Sequence, residues 1–245
     1  MKGELIFGVN PVRESLQGTR GAFNLYVQIS ATDHRVEKII RLAEERGVAV
    51  HRRDKVALTK MCASSHHQGI ALEVEPFRYT DFDDLLASIS RSCSAGFVLV
   101  LDAIQDPHNL GALIRSAACA GVDGVIIPKD RACGITAAAE KTSAGAVETV
   151  PVTMVTNVVQ TLEALKKLGY WVYGLDGAAR QSVYQTDFSG NVVLVVGGEG
   201  EGIRPLVRKQ CDVVMSIPQY GGVSSLNASV AGGIALFEIA RKVRG

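Results

Sequence analysis

Six runs of aliphatic residues constrain this chain more than any other feature: Phe97–Leu101, Gly124–Ile127, Val150–Val155, Trp171–Leu175, Val192–Val196 and Val213–Ile217. Their Val, Ile and Leu residues are continuous rather than alternating, the pattern of strands buried on both faces. Helices must then cover both sides of a mainly parallel sheet. Segments with helical spacing fall between the runs, near Leu110–Ala120, Ile135–Ala144, Val158–Leu168, Ile203–Lys209 and Ser225–Arg241. The fold class is α/β. In open sheets of this kind ligands bind beyond the carboxyl ends of the strands, and the polar and glycine-rich loops of this sequence lie there.

The chain before these runs has a different texture. Residues 1–77 read as a small α/β domain. Asn10-Pro11 opens a helix that runs through Leu16, with proline at a first-turn position. Asn24–Ile29 is strand-like, and a helix over Arg35–Arg46 has Asp33 as its cap and Gly47 as its stop. Val48–Val50 and Gly69–Val74 are short strands. Residues 78–95, acidic and then serine-rich, form a linker with a short helix near Phe82–Ile89, which leaves 96–245 as the second domain.

At 47% hydrophobic and 21% charged residues the chain is globular. No apolar run approaches the ~20 residues of a membrane-spanning helix, and Met1–Gly8 shows no long apolar core before a small-residue cleavage site, so neither secretion nor a membrane partner is expected. The five cysteines, 62, 93, 119, 133 and 211, form no C-x-x-C pair. No metal site and no disulfide framework is expected, and a reducing cytoplasm fits. The net charge of +1 announces no polyanionic partner. Locally, Arg35–Lys60 holds eight Lys/Arg against four acids, a surplus of +4, with Arg52 and Arg53 adjacent. On charge alone that stretch fits an RNA-facing patch and a solvated face equally.

Three loops carry candidate chemistry. The first follows Phe97–Leu101 and holds Asn109, suited to cap the next helix, and Arg115 among Leu, Ile, Ala and Cys. An arginine in such company needs an anion or a carboxylate such as Glu199. The second, Gly197-Gly198-Glu199-Gly200-Glu201-Gly202, resembles a dinucleotide fingerprint but fails its spacing. Counted from Gly198 the last glycine falls on Ile203, and Glu199 and Glu201 repel a pyrophosphate. An acidic, glycine-rich loop suits a ligand without phosphates, contacted through backbone. The third runs from Ser216-Ile217-Pro218 to Ser224-Ser225-Leu226-Asn227. There Ser224 or Ser225 caps the last helix, and Asn227 lies in its first turn with its side chain free to reach out.

Taken together, N-L-G-x-x-x-R, G-x-E-x-x-G and I-P-x-x-x-x-x-S-L-N-x-S resemble, in order and spacing, the SpoU (TrmH) family of RNA ribose 2′-O-methyltransferases. Phe7–Glu14 and His67–Ile70 are similar to the L30e-like substrate-binding domain of many members. The architecture and length resemble the bacterial branch that methylates a guanosine in large-subunit ribosomal RNA. The resemblance implies an S-adenosylmethionine-dependent homodimer with a trefoil-knotted catalytic domain near the C-terminus. It assigns Asn109, Arg115, Glu199, Ser225 and Asn227 to catalysis, and Gly197, Gly198, Ile217 and Leu226 to the cofactor. Arg115 would steady the developing alkoxide, because a guanidinium with a pKa above about 12 is a poor base. Glu199 would orient Arg115, and Asn109 and Asn227 would fix the loops or the ribose. Asn10, Arg13, Arg52 and Arg53 would contact ribosomal RNA. The rivals are a family member acting on transfer RNA or another ribosomal nucleotide, and a non-catalytic RNA-binding protein. Arg115, Glu199 and Asn227 together argue against the latter.

Overall fold

The computed structural model describes residues 3–18, 20–30, 34–91, 95–222 and 225–244. Asp33 and Ser224, expected as helix caps, lie outside them. Along the chain run β1 (Glu4–Phe7), α1 (Val9–Gln17), β2 (Ala22–Gln28), α2 (His34–Glu45), β3 (Ala49–Arg53), α3 (Lys55–Cys62), β4 (Ile70–Val74) and α4 (Phe82–Ser90). They are followed by β5 (Phe97–Asp102), α5 (Pro107–Ala120), β6 (Gly124–Pro128), α6 (Ala137–Ser143), β7 (Val152–Val155), α7 (Val158–Lys167) and β8 (Tyr170–Leu175). The chain closes with β9 (Gln181–Ser182), β10 (Asn191–Gly197), α8 (Pro205–Arg208), β11 (Val213–Ser216) and α9 (Ala228–Arg244). They form two compact units, Met1–Arg78 with Ile135–Thr149, and Tyr79–Gly134 with Val150–Gly245.

The second unit is built on a seven-stranded sheet in the order β7-β6-β5-β10-β8-β11-β9, with every neighbour parallel. All six residues of β5 are buried, as the unbroken apolar run demands. Val98 and Val100 of β5, with Val193 and Val195 of β10, pack against α4, α7 and α8 through Leu85, Leu162, Leu165 and Val207. Each such side chain contributes about 1.5–3 kcal/mol on full burial. The opposite face carries α5 and α9, which meet so closely that a Cβ on Gly232 would lie 2.3 Å from Leu113. Helices thus cover both faces. Asp106 accepts the His108 backbone N–H at 2.9 Å and starts α5, with Pro107 in the first turn, and Gly121 ends the helix at φ 71°.

The first unit has a four-stranded sheet, β1-β4-β2-β3, antiparallel except between β2 and β3. One face packs on α1 and α2 through Ile6, Leu25, Val27 and Leu72 against Val12, Leu16, Val36 and Ile39. A smaller cluster of Phe7, Leu58 and Ala71 lies on the other face, with Ala137 of α6 against it. Neither β1 nor α3 stands out in the sequence, since β1 is four residues long and the pattern of α3 is weak. Asp54 fixes the start of α3 by accepting the Ala57 N–H at 2.8 Å.

One expectation needs correction. The helix predicted over Ile135–Ala144 lies within the sequence of the expected second domain, yet it packs with the first unit. Arg20 explains why. Its buried guanidinium donates to Glu140 at 2.5 Å and Glu148 at 3.2 Å, and also to Glu4 and the Glu75 carbonyl. Burial works against the charged Arg20, but Glu140, Glu148 and Glu4 outweigh it and hold its pKa above the ordinary value. With three carboxylates around one cation, one of them can keep a proton. Glu140 is pushed furthest that way: burial raises its pKa to about 7 against the pull of Arg20, and its Oε2 has no partner.

Candidate active site

At the carboxyl ends of β8, β10 and β11 lies a cavity of about 740 Å³. Its wall includes Gly197, Gly198, Ile217 and Leu226, the four positions expected to meet a cofactor, together with Glu199, Ser225 and Asn227. The glycines serve the loop itself. A Cβ on Gly197 would sit 2.1 Å from the Gly202 carbonyl carbon, and one on Gly198 would sit 2.2 Å from the Ala103 oxygen. The loop doubles back so tightly that only glycine fits, and backbone rather than side chain is left facing the cavity.

Asn227 does more than the sequence indicated. The last helix starts at Ala228, and Asn227 is its cap, its Oδ1 accepting the N–H of Ser229 at 2.9 Å and of Val230 at 3.3 Å. Its amide donates to Asn109 Oδ1 at 3.0 Å, and the Asn109 amide donates in turn to Glu199. A hydrogen-bonded chain, Asn227–Asn109–Glu199, therefore ties three loops together at the cavity. Asn109 is not the cap of α5, a part taken by Asp106; it lies buried in the first turn, 7% exposed. Ser225 is exposed, and the cap expected of it is supplied by Asn227.

Arg115 departs from expectation. It is exposed on α5, and among the described residues it has no ion pair and no hydrogen bond. Glu199 binds Asn109 instead of orienting Arg115. Helical geometry accounts for this: six residues at 3.6 per turn place Arg115 about 240° around the axis from Asn109. The two side chains therefore leave α5 on different faces, Asn109 buried and Arg115 exposed.

Two acidic residues went unassigned in the sequence. Asp102, fully buried at the end of β5, accepts Arg204 Nε at 2.7 Å and the Arg204 backbone N–H at 2.8 Å, and pairs with Nη2 at 2.6 Å. It anchors the far end of the glycine loop to the strand beside Gly197. Asp176 follows β8 and lines the cavity. Its hydrogen bond from Arg208, at 2.8 Å, and one from the Ala178 N–H hold its carboxyl below the usual range. The signal for both was available: an acid directly after an apolar strand is at the ligand end of the sheet.

The expected RNA contacts all belong to the first unit, on separate elements. Asn10 is exposed in the first turn of α1, and Arg13 is exposed and paired with Glu14 at 2.5 Å. Arg52 and Arg53, both exposed, end the edge strand β3, where alternation sends them to opposite faces. Among the described residues no group of three His, Cys, Asp or Glu side chains could hold a metal, and no helix is long and apolar enough to cross a membrane.

Residues 96–237 match the SpoU rRNA Methylase family, and residues 5–80 match the domain described as RNA 2′-O ribose methyltransferase substrate binding. The 23S rRNA (guanosine-2′-O-)-methyltransferase RlmB of Xanthomonas campestris pv. campestris is 40% identical over 245 residues, covering 100% of this chain and 98% of that protein. RlmB of Photorhabdus laumondii subsp. laumondii is 41% identical over 243 residues, covering 98% of each. The crystal structure of the SpoU methyltransferase AviRb from Streptomyces viridochromogenes, in complex with AdoMet, superposes with a TM-score of 0.80 at 23% identity. It covers 98% of this chain and 91% of that one, a likeness of fold. Sequence profile and full-length relatives agree: this chain belongs to the SpoU rRNA methylase family.

Proposed function

We propose that this chain transfers a methyl group from S-adenosylmethionine to the ribose 2′-oxygen of a guanosine in large-subunit ribosomal RNA. The observation that carries the reading is the Asn227–Asn109–Glu199 chain at a glycine-walled cavity, formed from all three family motifs. The donor set fits the cofactor. Leu175, Ile217 and Leu226 offer apolar wall to a flat heterocycle, and the loop offers backbone groups. Glu199 and Asp176 disfavour a phosphate and suit a cation. When bound, the cofactor supplies an electrophilic methyl carbon on a sulfonium.

The remaining work falls to this chain's residues. Asn109, held between Glu199 and Asn227, fixes the loops so that the hydroxyl and the methyl carbon can be aligned; alignment alone is worth on the order of 7–11 kcal/mol in the best intramolecular cases. Arg115 stabilises the negative oxygen as the proton leaves, aided by an RNA phosphate. Because Arg115 faces outward on α5, we place it at a surface completed by a second copy of the chain. Exposed Val230 and Phe237 of α9 and Cys119 of α5 support a homodimer there. Leu236 and Ile239 of the same helix are turned away from that face and are core residues. The first unit holds the RNA, and the second binds the cofactor. The order β5-β10-β8, with α9 packed back on α5, supports the knotted topology that the family implies.

The test is ribose-methylation mapping by mass spectrometry of unmodified ribosomal RNA treated with purified protein and S-adenosylmethionine. One 2′-O-methylguanosine in the large-subunit RNA is expected, and Arg115→Ala should lower its rate about 100-fold or more. Methylation of transfer RNA alone would overturn the substrate, and cofactor binding without transfer to any RNA would overturn the enzyme.

A further inference from the structure

The second face of the sheet in the first unit is unevenly covered. α3 packs across β1, β4 and β2, around Phe7, Leu58 and Ala71. Toward the edge strand the same face carries polar and aromatic groups: Asn24 and Tyr26 of β2, Glu73 of β4, and His51 and Arg53 of β3. Tyr26 stands directly opposite His51, and Asn24 opposite Glu73. The Tyr26 and His51 rings are stacked, with centroids 5.5 Å apart and planes at 27°. The Arg53 guanidinium lies 5.7 Å from the centre of the Tyr26 ring.

Hydrogen bonds hold the group in place. His51 Nε2 donates to Asn24 Oδ1 at 3.0 Å, the Asn24 amide donates to Glu73 Oε2 at 2.8 Å, and the Tyr26 hydroxyl donates to the same oxygen at 3.2 Å. Asn24, Tyr26, His51 and Glu73 are only half-buried, and Arg53 is exposed. Two rings and a guanidinium are thus pre-arranged at a sheet edge, with His51 and Arg53 inside the Arg35–Lys60 stretch that has a surplus of four positive charges. Flat rings with an adjacent cation complement an unpaired nucleotide. Its base gains from stacking on aromatic and guanidinium planes, and its phosphate gains from the charge. Glu73 repels a phosphate laid over the rings, so the base takes that place and the phosphate falls to Arg53.

We propose that the Tyr26–His51–Arg53 face is a stacking platform for an unpaired base of the RNA that this unit holds. The proposal rests on the family reading of the unit as the substrate-binding domain and adds where, and by which contact, the RNA is gripped.

The experiment compares the full chain with its His51→Ala/Arg53→Ala variant, both side chains lying outside the apolar cores. Fluorescence anisotropy is read with a labelled RNA hairpin bearing an unpaired loop and with a fully paired RNA duplex. The variant should lose about tenfold in affinity for the looped RNA, the Arg53–phosphate share fading with salt and the stacking share persisting at high salt, while its affinity for the duplex changes less than twofold. In methylation assays the loss appears in KM for RNA. Looped-RNA affinity within twofold of the parent overturns the proposal. So does an equal loss on both RNAs that fades with salt, which identifies a plain phosphate patch. Calorimetry with S-adenosylmethionine in the same samples separates the readings: a parent protein that binds no cofactor and methylates no RNA defeats the family reading, whatever the anisotropy shows.

Discussion

The two units hold buried polar groups for different purposes. In the second unit they gather at one end of the sheet, where Asp102, Asn109 and Glu199 fix loops that line a cavity. In the first unit two buried charges, Arg20 and Glu140, bind together segments 120 residues apart in sequence. One arrangement sharpens a site on a sheet that its apolar strands already stabilise. The other closes a small domain whose own core is modest, a size range in which hydrophobic burial leaves little margin.

The largest effect is expected from Arg20→Ala. It leaves Glu4, Glu140 and Glu148 without their cation, and losing one partner of a buried ion network costs about 3–5 kcal/mol. The loss should stay in the first unit. Trp171, the only tryptophan in the chain, lies on β8 of the second unit and reports that unit alone. Urea unfolding followed by circular dichroism should gain an early transition, while the midpoint by Trp171 fluorescence holds. If both probes shift together, the units do not unfold separately and the contrast drawn above is wrong.

Asp102→Asn probes the other unit with a smaller effect. The shape survives, but one face of Arg204 meets an amide N–H instead of an oxygen, at a cost of about 1–3 kcal/mol. The glycine loop should loosen, raising the dissociation constant for S-adenosylmethionine about tenfold in calorimetry. Unchanged affinity would mean that the loop keeps its form without Arg204.

What the sequence made legible follows the same division. Unbroken apolar runs are local signals, so the strands of the large sheet and the loops at their carboxyl ends could be read directly; Gly197, Ile217, Leu226 and Asn227 were picked out within those loops by the resemblance to the family motifs. Asp102 and Asp176, acids directly after apolar strands, carry the same local signal. Three things were not local. Asn227 as a cap depends on where α9 starts relative to α5. That Glu199 does not reach Arg115 depends on its being taken by Asn109, 90 residues away in sequence. The attachment of residues 135–149 to the first unit depends on Arg20, which in the sequence is one arginine among many.

Glu140 probes the first unit through pH, and its effect, spread over more than two pH units, is best seen as a difference between variants. Its pKa is raised in the folded protein from the ordinary 4.5 to about 7, by burial first, against Arg20 and with Glu4 and Glu148 adding to the rise. A raised carboxyl means that the folded state keeps a proton that the unfolded chain releases. The stability of the first unit is therefore full below about pH 4.5, falls as pH rises through about 7, and is level above that. The slope from this group is at most about 1.4 kcal/mol per pH unit. Glu140→Gln cannot ionise and leaves Arg20 with Glu4 and Glu148. Relative to the parent, the variant should gain stability steadily between pH 5 and 7, measured as the midpoint of the first unit's urea transition by circular dichroism. A parent and variant that run parallel across that range would show that Glu140 is ionised in the fold, with Arg20 carrying all three charges at once.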